Sequence, residues 1–404
     1  MSFGNAPLFW RQRLERMRRM AHEDKFTILG ILSVRALGDF VIAIMACVYA
    51  KKKIRNSALL IYAHDDRPYK NDILMLCPHI DDKVMGTGPG MPIAWFDVPC
   101  ADPNAPPKEF VEAGFPHTNL VLFPAMIADL FNHSKIEFIR CLAIPEDLDG
   151  EIRQRLLDAG ASPDRWIVCL HAREDDYEFR KYREPDRSVD PVSYFQLADY
   201  IIDELGGQVV RLGDPSMTPA PARSHLVDLS RGNDFLLQAY AVSRCRFAIT
   251  TDSGMQHVAN GLGVPFATTN VTMLDILFDE CGFSPWHDQH LVLTKKVFAK
   301  DAVPDDSSEF GRMTNFNECI MFDNGSQEFR DVTNHMMAKT DDCQGWRNNY
   351  IERSVEAVDT ISFPFPSVPT SPNWFKLPWW EESPELACTL TELRKQAKRD
   401  GLIP

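Results

Sequence analysis

No Cys-x-x-C pair occurs anywhere in the 404 residues, although ten cysteines are present. They are spread along the chain, several inside apolar runs such as Trp166-Ile167-Val168-Cys169-Leu170, where a cysteine acts as a small hydrophobe. That spacing argues against a disulfide framework and a zinc site, and for a reducing compartment. A long basic stripe is missing too. The 43 lysines and arginines are outnumbered by 57 aspartates and glutamates, a net charge of −14, which argues against nucleic acid as a partner. A chain this acidic binds an anion only at a site built locally for it. The first twenty residues are arginine-rich without a following apolar core, so no secretory leader is expected, and the expected location is cytoplasmic.

Nor is there an uninterrupted membrane-length apolar run. Ile28 to Ala50 is strongly apolar but carries Arg35 and Asp39 near its middle. Each would cost about 2.5–3.5 kcal/mol at the centre of a spanning helix. The unbroken part, Phe40 to Ala50, is too short to cross a bilayer. What is present is an ordinary globular composition, 45% hydrophobic and 25% charged, which excludes global disorder. The length suits two or three domains, and no internal repeat is visible.

Residues 8–20 place Leu8, Phe9, Trp10, Leu14 and Met17 among five arginines and one glutamate. This reads either as a surface helix docked by its apolar side or as an interfacial helix drawn to anionic lipid. From Phe26 the pattern alternates strand and helix. A strand over 26–34 leads through the turn Arg35-Ala36-Leu37-Gly38-Asp39 into a helix reaching Lys53, then a strand over 57–63. Weaker strand candidates are 120–123 and 136–142. Further on, strands are expected at 166–171, 208–212, 225–229, 247–250 and 264–268, with helices at 191–205, 233–243 and 253–261. Alternation of this kind implies parallel sheets covered by helices, an α/β fold in two lobes. The expected parts are 1–25, a basic amphipathic helix; 26–155 and 156–338, the two lobes; and 339–404, a proline- and aromatic-rich tail returning to them.

The strongest chemical signal is Phe247 to Asn270. A buried strand runs out at Thr250-Thr251, and a helix begins directly behind Asp252-Ser253-Gly254. Free N–H groups at a helix start, the positive end of its dipole and a glycine allowing close approach make an anion site. The same residues also make a simple helix cap. Both readings stay open on chemistry alone.

Asp252-Ser253-Gly254-Met255-Gln256-His257-Val258-Ala259 resembles the D-T/S-G-x-x-H-x-A signature of glycosyltransferase family 9, the heptosyltransferase-like enzymes. The turn Leu37-Gly38-Asp39 resembles that family's opening L-G-D. A third segment, His171-x-Arg173, Tyr182-Arg183, Asp186 and Gly206 to Asp214, followed by Ile320 to Asn324, resembles a group of bacterial glycosyltransferases defined mainly by sequence. That likeness covers roughly 165–338. H-x-R after a strand also occurs in fucosyltransferases of the same two-lobed build, where the arginine holds the donor phosphates.

The resemblance implies a GT-B fold, two Rossmann-like lobes facing across a cleft. It implies an enzyme that moves a sugar from a nucleotide-diphosphate donor to a hydroxyl of a bacterial glycan or lipid-linked acceptor. Asp39 would be the general base, which predicts inversion at the anomeric carbon. Arg173, Ser253, Gly254 and His257 would hold the donor diphosphate. His171, Gly213, Asp214, Asp228 and Asp252 would contact its nucleoside or sugar, and Arg35 and Gly38 would lie on the acceptor side. For Asp228, Gly213 and Asp214 a local turn role is the alternative, for His257 a core histidine, and for Arg173 an ion pair with Glu174, Asp175 or Asp176.

Residues 174–190, with Tyr182 and Arg183, replace the lysine-bearing segment usual in family 9 and read as a flap over the donor. Neither a D-x-D pattern nor a metal-ligand cluster is evident, so neither metal nor cofactor is expected. Residues 8–20 would place the enzyme at the inner membrane face. A nucleotide-sugar 2-epimerase is the second enzymatic reading, and a catalytically silent subunit of a polysaccharide assembly complex the non-enzymatic one.

Overall fold

The computed structural model describes residues 26–32, 34, 36–53, 56–86, 120–122, 140–174, 187–271, 290–299, 313–316 and 319–340. Residues 1–25, where a helix is expected, Arg35, Tyr182, Arg183 and the tail beyond 340 lie outside them. By its contacts the chain divides between Leu148 and Asp149, with Asn260–Gly263 grouped with the first body.

In the first body, β1 (Phe26–Leu32), α1 (Leu37–Lys53), β2 (Ser57–His64), α2 (Pro68–Leu76), β3 (Asp82–Gly86) and β4 (Leu120–Leu122) follow in order. Their strands form one parallel sheet in the order β3-β2-β1-β4. The apolar run is thereby accounted for. Phe40 to Val48 of α1 are at most 8% exposed, packed as a core helix against the sheet. Gly30 permits this approach, because a Cβ there would stand 2.6 Å from Cys47 Sγ. Among the described residues no helix is long and apolar enough to cross a membrane. The expected strand at 136–142 does not reach its described end: Arg140–Leu142 is irregular, and the amides of Cys141 and Leu142 both donate to the Gly261 carbonyl.

The second body starts with most of α3 (Glu146–Asp158), then β5 (Ile167–His171), α4 (Pro191–Asp203), β6 (Gln208–Arg211) and β7 (Leu226–Asp228). There follow α5 (Phe235–Arg244), β8 (Phe247–Thr251), α6 (Gly254–Leu262), β9 (Phe266–Val271) and β10 (His290–Thr294). Local chemistry sets these boundaries. Asp190 and Asp234 cap α4 and α5 by accepting from the amides of Val192 and Leu237. Gly206, at φ +69°, ends α4 in the left-handed conformation a glycine adopts without strain.

These six strands are all parallel, in the order β10-β9-β8-β5-β6-β7. Counted from β5, that is the 3-2-1-4-5-6 order of dinucleotide-binding sheets, read from the other edge. The core lies between the sheet and two helices. Tyr194, Leu197 and Ile201 of α4, with Phe329, Val332 and Met336 of α7 (Ser326–Lys339), pack on Val168, Val209, Phe247 and Ile249. Each such apolar side chain contributes about 1.5–3 kcal/mol when fully buried. A further sheet, unforeseen from sequence, joins β11 (Lys296–Ala299), β12 (Met313–Phe316) and β13 (Cys319–Phe322) in antiparallel order β11-β13-β12.

Candidate active site

In a parallel sheet of this order, successive connections leave in opposite directions from the first strand, and a crevice opens beyond the carboxyl ends at the switch. Here the switch lies between β5 and β8, which pair with His171 opposite Thr250. Beyond it lie Arg173 on one strand exit and Asp252-Ser253-Gly254 on the other. The two exits are joined. Thr251 Oγ1 accepts from the Arg173 amide at 2.9 Å, and Ser253 Oγ lies 3.0 Å from His171 Nδ1. The turn meets the N-terminus of α6, whose nine residues align their dipole on it.

Arg187 fastens the turn from outside. Its guanidinium donates to the Asp252 carbonyl at 2.9 Å, and its Nε stands 3.3 Å from Asp252 Oδ2. Gln256 fastens it from within, donating to Asp252 Oδ1 at 3.1 Å. The backbone behind Arg187 is itself pinned: the Val189 amide donates to the Arg173 carbonyl and the Asp190 amide to Asp323. Lys295, fully buried, reaches the Ser188 carbonyl at 3.0 Å and Asp323 Oδ1 at 2.9 Å.

Both histidines of the site are held neutral. His171 is pushed down to about 4 by burial, then by the nearby charges of Arg211 and Arg173. His257 is also lowered to about 4, by loss of water first and by Arg187 to a lesser extent, with Asp252 opposing. At neutral pH the positive charge of the site therefore comes from arginines and the helix terminus.

The sequence-derived candidates separate into groups. His171, Arg173, Asp252, Ser253, Gly254 and His257 come together at the switch. Glu174 turns inward to Arg211 at 2.5 Å and accepts from the Thr218 amide. Gly213 and Asp214 follow β6, one strand outward, and Asp228 ends β7, two strands outward. Gln238 clasps Gly213 by its amide and carbonyl, and Asp214 accepts from the Ser216 amide and hydroxyl. Asp228 accepts from Ser230 and from the Ala220 amide, 3.6 Å from Arg211.

In the first body, Gly38 and Asp39 open α1 at the carboxyl end of β1, partly exposed, beside the switch between β1 and β4. Among the described residues, no three His, Cys, Asp or Glu side chains gather as metal ligands. Sequence reasoning missed two participants. Gln256 had a signal, its i,i+4 spacing from Asp252. Arg187 stood only among the charges of the flap segment, with nothing to mark its partner.

No known family profile matches the chain, and no curated protein does. Solved structures do. One is a glycosyl transferase family 9 protein from Veillonella parvula, 13% identical, with TM-score 0.46 over 67% of this chain and 86% of that one. A second is the ADP-heptose lipopolysaccharide heptosyltransferase II of E. coli, 15% identical, TM-score 0.44, covering 67% and 90%. A third is an E. coli heptosyltransferase holding ADP-2-deoxy-2-fluoro heptose, 12% identical, TM-score 0.36, covering 66% and 92%. The chain is similar to family 9 glycosyltransferases. At these identities the likeness concerns fold.

Proposed function

We propose that this protein is an inverting, metal-independent glycosyltransferase that takes a nucleoside-diphosphate sugar as donor and a hydroxyl of a bacterial glycan or glycolipid as acceptor. The observation that carries this reading is the turn Asp252-Ser253-Gly254 at the switch between β5 and β8, on a helix N-terminus and beside Arg173. Anionic ligands suit such a terminus, and open α/β sheets take ligands at this point. Arg173 is suited to the diphosphate because a planar guanidinium pairs two phosphate oxygens at once.

In the proposed reaction Arg173 and the amides of Ser253 and Gly254 stabilise the diphosphate as it leaves, where charge develops. Asp39 takes the proton of the attacking hydroxyl, and direct displacement inverts the anomeric carbon. With arginine and helix dipole supplying the charge, a divalent cation has no necessary part. We place the enzyme in the cytoplasm, peripheral to the inner membrane face, on the basic and apolar character of residues 8–20.

A thermal-shift screen against UDP, GDP, ADP, CMP and dTDP tests the reading. At a hundredfold excess over Kd a ligand stabilises the native state by about 2.7 kcal/mol. The expected result is a shift with one nucleoside diphosphate that disappears in Arg173→Ala. No shift with any of them at millimolar concentration would count against a transferase and favour a silent assembly subunit.

A further inference from the structure

Gln256 is 6% exposed, and its amide is used on both sides. Its Oε1 accepts from the Thr268 hydroxyl at 2.8 Å, while its Nε2 lies 3.1 Å from Asp252 Oδ1 and 3.2 Å from His257 Nε2. This arrangement has one consistent assignment of protons. A carboxylate only accepts, so the amide nitrogen must be the atom turned to Asp252; the reverse would set two acceptors against each other. An amide nitrogen only donates, so the ring nitrogen it meets, His257 Nε2, must carry no proton. A neutral imidazole has one N–H, which is left on Nδ1.

We infer that Gln256 is a positioning residue that sets the tautomer of His257, keeping the proton on Nδ1 so that the ring offers an N–H, and no lone pair, to the anion held at the Asp252–Gly254 turn. The inference deepens the proposed function and rests on it for the identity of that anion, a nucleoside diphosphate. The geometry makes the device economical. Asp252 and Gln256 are i,i+4 neighbours, His257 is next in the chain, and His257 stands one helical turn beyond Ser253. Thr268 holds the amide from the adjoining strand β9, and Asp252 fixes which way it faces, since turning it over would lose the buried bond to the carboxylate. The ring is neutral near pH 7, its pKa lowered to about 4 chiefly by burial, so it has a single N–H to place.

The test is nitrogen NMR on the full chain labelled with ¹⁵N in its histidine rings, near neutral pH and without ligand. The His257 signals are identified by their loss in His257→Asn. Wild type should show a pyrrole-type Nδ1 and a pyridine-type Nε2. Gln256→Met, close in size but unable to donate, should move the ring toward the Nε2–H form while leaving the His171 signals in place, which reports an intact fold. A wild-type ring protonated on Nε2, or a ring unchanged in Gln256→Met, overturns the inference. Titration with the nucleoside diphosphate chosen by the thermal screen gives the second readout. Affinity should fall about tenfold in Gln256→Met, equivalent to about 1.4 kcal/mol. Unchanged affinity in a variant whose tautomer has moved overturns the role given to the N–H. Should wild type bind no nucleoside diphosphate, the transferase reading and that role fail together, while the tautomer assignment stands on the spectrum.

Discussion

Ser253 Oγ stands 3.0 Å from His171 Nδ1, tying the last residue of β5 to the turn that follows β8. The bond holds together the two strand exits between which the strand order reverses. Removing the hydroxyl loosens this junction and takes away a donor from the proposed anion site. A hydrogen bond to a charged group is worth about 1.5–3 kcal/mol, so Ser253→Ala should weaken nucleoside diphosphate binding about tenfold to a hundredfold. Calorimetric titration measures this, and unchanged affinity would remove Ser253 from the site.

His171 makes stability depend on pH with a definite sign. Its folded value of about 4 lies below the ordinary 6.5, so between these limits the unfolded chain binds a proton that the native one refuses. Stability is full above 6.5 and falls as the pH drops toward 4, by at most about 1.4 kcal/mol per pH unit from this residue. His257 acts in the same direction. Urea unfolding at pH 7, 6 and 5 should show the decline, and His171→Asn should make it shallower, leaving the share of His257. Equal slopes in the two proteins would contradict the assignment.

The ion pair of Lys295 and Asp323 is buried on both sides, at 0% and 2% side-chain exposure. Breaking such a pair from one side costs about 3–5 kcal/mol, because the remaining charge is left in the core. Lys295→Met should destabilise by that amount. Lys295→Met combined with Asp323→Leu should recover much of it, since apolar replacement of both partners removes the stranded charge. Denaturant unfolding distinguishes the outcomes.

Much of the fold was legible because its strands and helices follow simple patterns. The β8–α6 junction shows an apolar strand, a small polar turn and a helix start in twelve consecutive residues. The run from Phe40 to Val48 declared a buried helix by its lack of charge. Four strands were not legible: β3, β11, β12 and β13, of four or five residues each, where β6, just as short, was marked by Gly206-Gly207 before it and Gly213 after it. The site was legible where chemistry is local in sequence, as in Asp252-Ser253-Gly254. It was hidden where partners are far apart. Arg187 lies 65 residues from Asp252, and Lys295 and Asp323 break the expectation that charge stays outside.

Asp39 opens α1 in the first body, and under the proposed mechanism it alone handles the acceptor proton. Asp39→Asn keeps shape and polarity but cannot take a proton at that site. Sugar transfer should slow by about 10²–10⁴, with donor affinity unchanged. Single-turnover transfer from a labelled donor, set beside donor titration, separates the two quantities. Transfer at the wild-type rate would reassign the base.

The central claim is that a nucleoside diphosphate binds at the switch between β5 and β8. Amide hydrogen exchange with and without the nucleotide selected by the thermal screen tests this most directly, because it reports where the ligand sits. The account predicts slowed exchange in the segments 171–174 and 251–257. Protection confined to other segments, or none with any of the five nucleotides, would contradict it.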